Sequence, residues 1–351
     1  MQLPRLALTL GDPAGIGPEI VRKALGESTV RDAARLVVIG HPRSLAELAE
    51  ATGESDRFAS VGAVPEERIP EDSRSRGGVV AEIRDQLDAA APLQFVPVDT
   101  PDSWTVGRAQ ASGGRAALAA LRVGAALAHQ GVVDGLVTAP VSKEALHLAG
   151  ERCEGQTELL GRWAGTPDLQ MLAVAHRLRV LLLTRHLPLR AALDAIEPPL
   201  VVRHLRLLHD GLVAMGFAAP RLALAGLNPH AGEGGILGHD EEERLQPALA
   251  EARAQGLDVT GPESPDTVFL RASRGDFDGV LALYHDQAFI PVKLHAPDDG
   301  LTVLLGLPYL RVSPAHGTAF DIAGTDRARH GNLVMALVQA AEWALARTSA
   351  P

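Results

Sequence analysis

The sequence predicts an α/β fold of two αβα domains with largely parallel sheets, and three observations carry that expectation. Short, continuous apolar runs recur along the chain, helical stretches separate them, and loops bearing glycine, proline or histidine stand directly after the runs. Continuous rather than alternating apolar runs are what strands covered on both faces require, and a repeated strand–helix–strand order gives parallel pairing. The length, 351 residues, exceeds the size at which one hydrophobic core stops growing, so two domains are expected.

The strands are expected at residues 6–10, 36–39, 93–98, 136–138, 180–184, 222–225, 280–283 and 302–305. Helices are expected over 115–129, 201–215, 241–254 and 332–347. In the last of these, Leu333, Leu337, Ala340, Ala341 and Ala344 make one apolar stripe at helical spacing, with Glu342 and Arg347 outside it. Residues 52–90 break the alternation. They are rich in Glu, Asp, Arg, Ser, Gly and Pro and show little periodicity before 79–87, so they read as a surface excursion with one helix.

Apolar residues at 46% and charged residues at 22% exclude a disordered chain. A net charge of −10, with acids and bases interspersed, argues against a general nucleic-acid binder but leaves room for a local basic pocket. The single cysteine, Cys153, cannot form an intramolecular disulfide, which points to a reducing compartment. No apolar run reaches the roughly 20 residues of a membrane helix, and the first residues run into a strand-like segment without a signal-peptide pattern. The expectation is a cytoplasmic protein with neither nucleic acid nor membrane as partner.

Residues able to do chemistry concentrate in loops after the strands, where open α/β sheets bind ligands. In GDPAGIGPE, residues 11–19, the glycines permit close backbone approach, and Pro18 suits the first turn of a helix whose free N–H groups attract anions. A tight strand-to-helix turn without a ligand accounts for the same residues. SGGR at 112–115 is either a phosphate seat or an ordinary helix start, and Gln156 and Thr157 offer either neutral ligand contacts or capping groups. Of thirteen histidines, His186, His230 and His285 follow strands. Imidazoles so placed can converge on one divalent cation and leave positions open for substrate. Their separations, 230 − 186 = 44 and 285 − 230 = 55, match no short metal motif, so spacing alone leaves surface histidines as the alternative. Asp286, beside His285, suits a base, a residue that orients a ligand, or a helix cap. In SPAHGTAFDIAG, residues 313–324, small residues let backbone approach a flat ligand, His316 can stack or hydrogen-bond, and Asp321 can accept from a hydroxyl or amine. No strand-linked G-x-G-x-x-G is present, so a Rossmann site is not expected.

Taken in order, LTLGDPAGIGPE, DGLVTAPVSK, GQTELL, RHLPLR, GLNPHAGEGG, PDTVF, YHDQ, GLPYLRVS and HGTAFDIAGT give the chain a resemblance to the 4-hydroxythreonine-4-phosphate dehydrogenase family of pyridoxal phosphate synthesis. The resemblance runs from Leu6 to the C-terminal helix, and it rests on the number and order of the pieces, each weak alone. HGTAFDIAG is also similar to the cofactor loop of the wider isopropylmalate and isocitrate dehydrogenase class.

The resemblance implies that class's architecture. Residues 1–108 with 297–351 would form a first domain carrying the cofactor loop. Residues 109–296 would form a second carrying the metal ligands and a dimer interface, with the active site in the cleft between the two domains. It implies a homodimer whose partner completes each site. NAD or NADP would be held by His316, Gly317, Thr318, Ala319 and Asp321, and a divalent metal (zinc, or magnesium, manganese or cobalt) by His186, His230 and His285. A small phosphorylated hydroxy acid would be met by Gln156, Thr157, Lys293, Thr302 and Arg311, with Asp286 and Lys293 in catalytic roles. The implied reaction oxidises 4-phosphooxy-threonine to a β-keto acid that decarboxylates to 3-amino-2-oxopropyl phosphate.

Two positions depart from the family pattern. Gln156 stands where histidine is usual and cannot carry a proton charge, and Thr302 stands where asparagine is usual and is shorter. Both bear on the substrate, so oxidation of threonate or erythronate phosphate, or of an aromatic dihydrodiol, is the alternative. A non-redox phosphoacyl transferase and a silent metabolite-binding protein are the alternatives of other classes. The three histidines and the HGTAFDIAG loop weigh against both.

Overall fold

In the computed structural model the described residues are 3–53, 61–74, 78–88, 90–101, 103–166, 168–297 and 300–349. They fall into two compact units, Met1–Leu169 with Leu307–Leu345, and Gln170–Gly306 with Ala346–Pro351. The chain leaves the first unit and returns to it, as a discontinuous domain requires. The breaks fall at 169/170 and 306/307, not at 108/109 and 296/297: the helix Ala111–His129 and the strand Gly135–Thr138 pack with the first sheet, and the strand Leu301–Leu305 pairs with Gln170–Ala175 in the second.

The first unit is built on six parallel strands: β1 (Arg5–Thr9), β2 (Arg35–Gly40), β3 (Val64–Pro65), β4 (Leu93–Asp99), β5 (Gly135–Thr138) and β12 (Arg311–Pro314). They lie in the order β3-β4-β2-β1-β5-β12. The helix Ala111–His129 covers β1, β2, β4 and β5 with Leu121, Val123, Ala125, Ala126 and Leu127, all fully buried. Leu6, Ala7 and Leu8 are buried on both faces of β1, which is why that strand reads as a continuous apolar run.

The second unit has the order β11-β6-β7-β10-β8-β9, from β6 (Gln170–Ala175), β7 (Leu178–Leu182), β8 (Leu222–Ala225), β9 (Val259–Glu263), β10 (Gly279–Ala282) and β11 (Leu301–Leu305). β7, β10, β8 and β9 are parallel, whereas β6 runs antiparallel to both β7 and β11. The β6–β7 turn is made at His176 and Arg177, with His176 in the left-handed region at φ 52. Val180, Leu182, Ala223, Val280 and Ala282 meet Val268, Phe269 and Ala288 from the covering helices in one core.

All eight expected strands are present, as are the helices Pro198–Ala214 and Gly331–Ser349. Leu333, Leu337, Ala340, Ala341 and Ala344 are buried as one stripe, with Glu342 exposed. The expected 241–254 helix opens with a π-helical turn, Glu241–Leu245, before the α-helix Gln246–Ala254. Within the 52–90 excursion lie the helix Val79–Gln86 and the short edge strand β3, and residues 54–60, 75–77 and 89 fall outside the described set.

Candidate active site

Three neighbouring strands of the second unit, β7, β10 and β8, run parallel, so their carboxyl ends share one edge. Each is followed by one of the expected histidines: His186 after β7, His285 after β10 and His230 after β8. The rings of His186 and His285 lie 5.5 Å apart between centroids. Nδ1 of His285 is 2.7 Å from Oδ1 of Asp286, a contact that orients the ring and leaves Nε2 as the nitrogen for a ligand. Along the helix His285–His295 the i, i+4, i+8 spacing stacks His285, Phe289 and Lys293 on one face. The His285 and Phe289 rings are 4.7 Å apart, and Nζ of Lys293 is 5.7 Å from the Phe289 ring centroid.

Among the described residues no three metal-ligating side chains converge as one group. The structure brings His186 and His285 together and leaves His230 on its own loop. The donor chemistry nonetheless fits a divalent cation of the zinc type, since these are imidazoles at strand ends, one of them oriented by a carboxylate.

The His230 loop is wound left-handed from residue 230 to 235, with φ of 51 at His230, 53 at Ala231 and 46 at Glu233, and glycine at 232, 234 and 235. What holds it is Glu241, only 3% exposed. Its Oε1 accepts from the backbone N–H groups of Leu227 (2.8 Å) and Asn228 (2.7 Å), and its Oε2 accepts from the Asn228 side-chain amide at 2.8 Å. Gln287 then ties two histidine loops together, accepting from Leu283 N–H at 2.7 Å and donating to Gly226 C=O at 2.8 Å. Asp266, in PDTVF, has its carboxyl held below the usual range first by the Ser264 hydroxyl, with the charge of His230 a further contributor. Sequence reasoning singled out none of Glu241, Gln287 or Asp266. Gln287 and Asp266 were visible only as members of motifs, and Glu241 sits in a run of glutamates that reads as a solvated helix face.

In the first unit, Arg311 on β12 is 3% exposed. One terminal nitrogen donates to Thr138 Oγ1 at 2.7 Å and to Gln156 Oε1 at 3.1 Å, while its buried Nε has no protein partner. Burial pushes the guanidinium down to about 10, so it stays charged at neutral pH. Among the described residues the one ionisable group acting on it is Tyr309, whose phenol is itself pushed up by burial and whose hydroxyl has no protein partner. Gln156 and Thr157 open the helix Gln156–Ala164 behind Gly155, and Gln156 reaches Arg311. Lys293 is exposed and Thr302 is buried within β11, both in the second unit.

The loop after β12 carries His316 to Asp321. Ile16 N–H donates to Thr318 C=O at 3.0 Å, and a Cβ on Gly15 would lie 2.9 Å from Thr318, so only glycine fits at 15. Gly317 is the reverse case: nothing stands within 4 Å of where its Cβ would be. His316 Nδ1 donates to Gly317 C=O at 3.1 Å, and its buried Nε2 has no protein partner. The loop's far end is fixed by Lys23, whose ammonium donates to Glu19 (2.9 Å), Asp326 C=O (2.8 Å) and Ala328 C=O (2.9 Å). Open backbone at 317 and an orphaned imidazole nitrogen at 316 fit a nucleotide seat.

Parallel strands that present loops at their carboxyl ends, a buried cation without a counter-charge and a carboxylate-oriented histidine are features of an α/β enzyme. The chain belongs to the family described as pyridoxal phosphate biosynthetic protein PdxA, which it matches over residues 32–340. It is 41% identical over 346 residues to the D-threonate 4-phosphate dehydrogenase of Cupriavidus necator, covering 98% of both chains. It is 40% identical over 319 residues to the 4-hydroxythreonine-4-phosphate dehydrogenase of Beijerinckia indica, covering 91% of this chain and 89% of that one. The crystal structure of a 4-hydroxythreonine-4-phosphate dehydrogenase from Klebsiella pneumoniae superposes with a TM-score of 0.79 at 36% identity, over 97% of this chain and 99% of that one. The resemblance read from the motifs is borne out: the chain is an oxidoreductase of this family. Among the described residues no helix is long and apolar enough to cross a membrane.

Proposed function

We propose that this chain oxidises D-threonate 4-phosphate at the hydroxyl β to its carboxylate, linked to NAD or NADP and dependent on a divalent metal. The observation that carries the reading is Arg311, a buried guanidinium that faces only neutral oxygens and keeps one N–H unpaired. A buried charge left in that state costs several kcal/mol until an anion arrives, and a carboxylate or phosphate oxygen is the natural partner.

The surroundings of Arg311 also bear on which acid binds. No carboxylate is among the groups that act on it. An α-ammonium next to a carboxylate seated there would meet an unscreened cation, whereas an α-hydroxyl would not. Gln156 also departs from the histidine usual in the family, which bears on the same choice of substrate. The second reading keeps 4-phosphooxy-threonine, oxidised to the β-keto acid that yields 3-amino-2-oxopropyl phosphate. The family description and relatives such as the Beijerinckia enzyme favour it.

In either case Arg311 and Lys293 bind the anionic ends, and Thr157, Gln156 and Thr302 hydrogen-bond the substrate. His186, His230 and His285 would hold the metal, and His316 to Asp321 the nucleotide. When bound, those two groups supply charge stabilisation at the reacting oxygen and a hydride acceptor. Asp286, exposed and paired with His285, would take the proton of the substrate hydroxyl. The homodimer expected from the family would cover an apolar cavity of about 630 Å³ that runs beside Asp266 and Asp286. Leu270, Ile290 and Leu294 on its walls are 52%, 59% and 80% exposed.

The test is turnover of both acids by purified protein, with zinc, magnesium, manganese and cobalt and with each nicotinamide cofactor. Brisk oxidation of threonate phosphate with negligible oxidation of 4-phosphooxy-threonine is the expected result. The opposite ranking selects the second reading. Cofactor-independent phosphoacyl transfer in place of either oxidation overturns the reaction class.

A further inference from the structure

Residues 103–110 lie beyond β4 at the carboxyl edge of the first sheet, and no motif or expected role covers them. Three contacts place them against the GDPAG and HGTAFDIAG loops. Gly107 N–H donates to Ala14 C=O at 2.8 Å, the Gly107 Cβ position lies 3.3 Å from Phe320 C=O, and the Gly324 Cβ position lies 3.1 Å from a methyl of Val106. The segment is also held internally. Gln110 accepts from Thr105 N–H at 3.1 Å and donates to Thr105 C=O (2.7 Å) and Arg108 C=O (3.2 Å), so one side-chain amide closes the turn with all of its groups used. Ser112 donates to Ser103 C=O at 3.1 Å, and Trp104 is buried edge-on against His41 with ring centroids 4.7 Å apart.

The result is a rigid turn that holds an apolar side chain out: Val106 is 46% exposed. An exposed valine alone means nothing. Here it sits on a pre-formed turn, touching the loop whose open Gly317 and orphaned His316 nitrogen suit a nucleotide. Flat heteroaromatic rings bind between apolar side chains on one side and small-residue backbone on the other.

We propose that Thr105–Gln110 forms a wall of the nicotinamide-nucleotide seat, with Val106 supplying the apolar contact to the base and Gln110 acting as a positioning residue. The proposal rests on the nucleotide reading of the His316–Asp321 loop, and the experiment separates the two. NADH binding is followed by its own fluorescence, without turnover, in Val106→Ser, Val106→Ile and Gly317→Val, each purified with its melting temperature recorded. Val106→Ser is expected to weaken NADH binding about tenfold, the lower range for one lost apolar contact. Val106→Ile should stay within about twofold, because bulk and apolarity are kept. The KM for the cofactor should rise in parallel while kcat at saturating cofactor holds. Weakened binding in Gly317→Val with unchanged binding in Val106→Ser overturns the wall and leaves the seat standing. Unchanged binding in both overturns the seat and the wall together.

Discussion

The His230 loop follows β8 and the Arg311 pocket opens from β12, yet their polar groups are treated in opposite ways. In the loop every demand is met from within: Glu241 takes three donors, Gln287 bridges two backbone groups, and His285 has its carboxylate. In the pocket the demands are left open, with Arg311 Nε and the Tyr309 hydroxyl both without protein partners. The first region is pre-organised so that a ligand finds its donors already aimed. The second leaves buried donors unsatisfied, as the proposed anion site requires. Geometry is fixed in one place, and affinity for charge is stored in the other.

The sharpest way to break this contrast is Arg311→Met. Removing a buried unpaired cation should leave the melting temperature unchanged or raised, while kcat/KM for the phosphorylated acid falls by about three orders of magnitude. A melting temperature that drops sharply would show Arg311 to be a structural ion. Glu241→Ala tests the other half. The His230 loop should lose its hold, and metal affinity by calorimetry should fall about 10- to 100-fold, as for other residues that support a ligand from behind. His230→Ala should remove most of the metal, and stoichiometric metal with normal turnover in that variant would sink the ligand assignment.

A smaller effect is expected from Gln156→His, because the residue at 156 must accept from Arg311. A protonated histidine there repels the guanidinium, so turnover of threonate phosphate should fall by about 1–3 kcal/mol in transition-state terms, the range for one charged hydrogen bond. Some activity on 4-phosphooxy-threonine should appear. A gain on threonate phosphate would reverse the substrate ranking proposed above.

The smallest effect concerns Asp12, fully buried in the GDPAG turn with one carboxylate oxygen unpaired. Burial raises its pKa to about 6, with the Ala14 N–H partly offsetting the rise. A raised carboxyl means that the folded chain keeps a proton the unfolded chain has lost. Stability therefore falls as pH rises from the ordinary carboxylate range through about 6, and the deficit persists above it. Asp12→Asn keeps the acceptor for Ala14. It should melt a few degrees above the parent at pH 8, with the gap closing near pH 4. An equal gap at both pH values would remove titration as the cause.

Comparison with the sequence shows where local pattern suffices. Strands buried on both faces, such as β1 and β10, announce themselves as apolar runs. Four strands did not. β12 contains Arg311 and ends in Pro314, and the edge strand β9 contains Gly261 and Pro262, so both read as loop. β6 is a Met-Leu-Ala-Val-Ala run that suits helix or strand equally. β3 is two residues long. At the site, residue types and strand-end positions were legible for His186, His230 and His285, whereas Arg311 came only from the family resemblance. Glu241 was not, because its role depends on a π-helical turn folding back over a loop thirteen residues earlier, and spacing does not encode that approach.

The left-handed winding at 230–235 has a consequence for anyone seeking a hardier version of this enzyme. Ala231 and Glu233 occupy backbone angles that L-residues reach only at about 1 kcal/mol or more each. Glycine at either position would relax that backbone, offset in part by the greater freedom it gives the unfolded chain. Ala231 also packs against Gly226, 2.9 Å from where a Cβ there would stand, so trimming it opens space beside the very turn that aims His230. Heat tolerance and the proposed metal grip therefore pull on the same few residues. Glu233, exposed and clear of that packing, is the position at which the first can be improved without loosening the second.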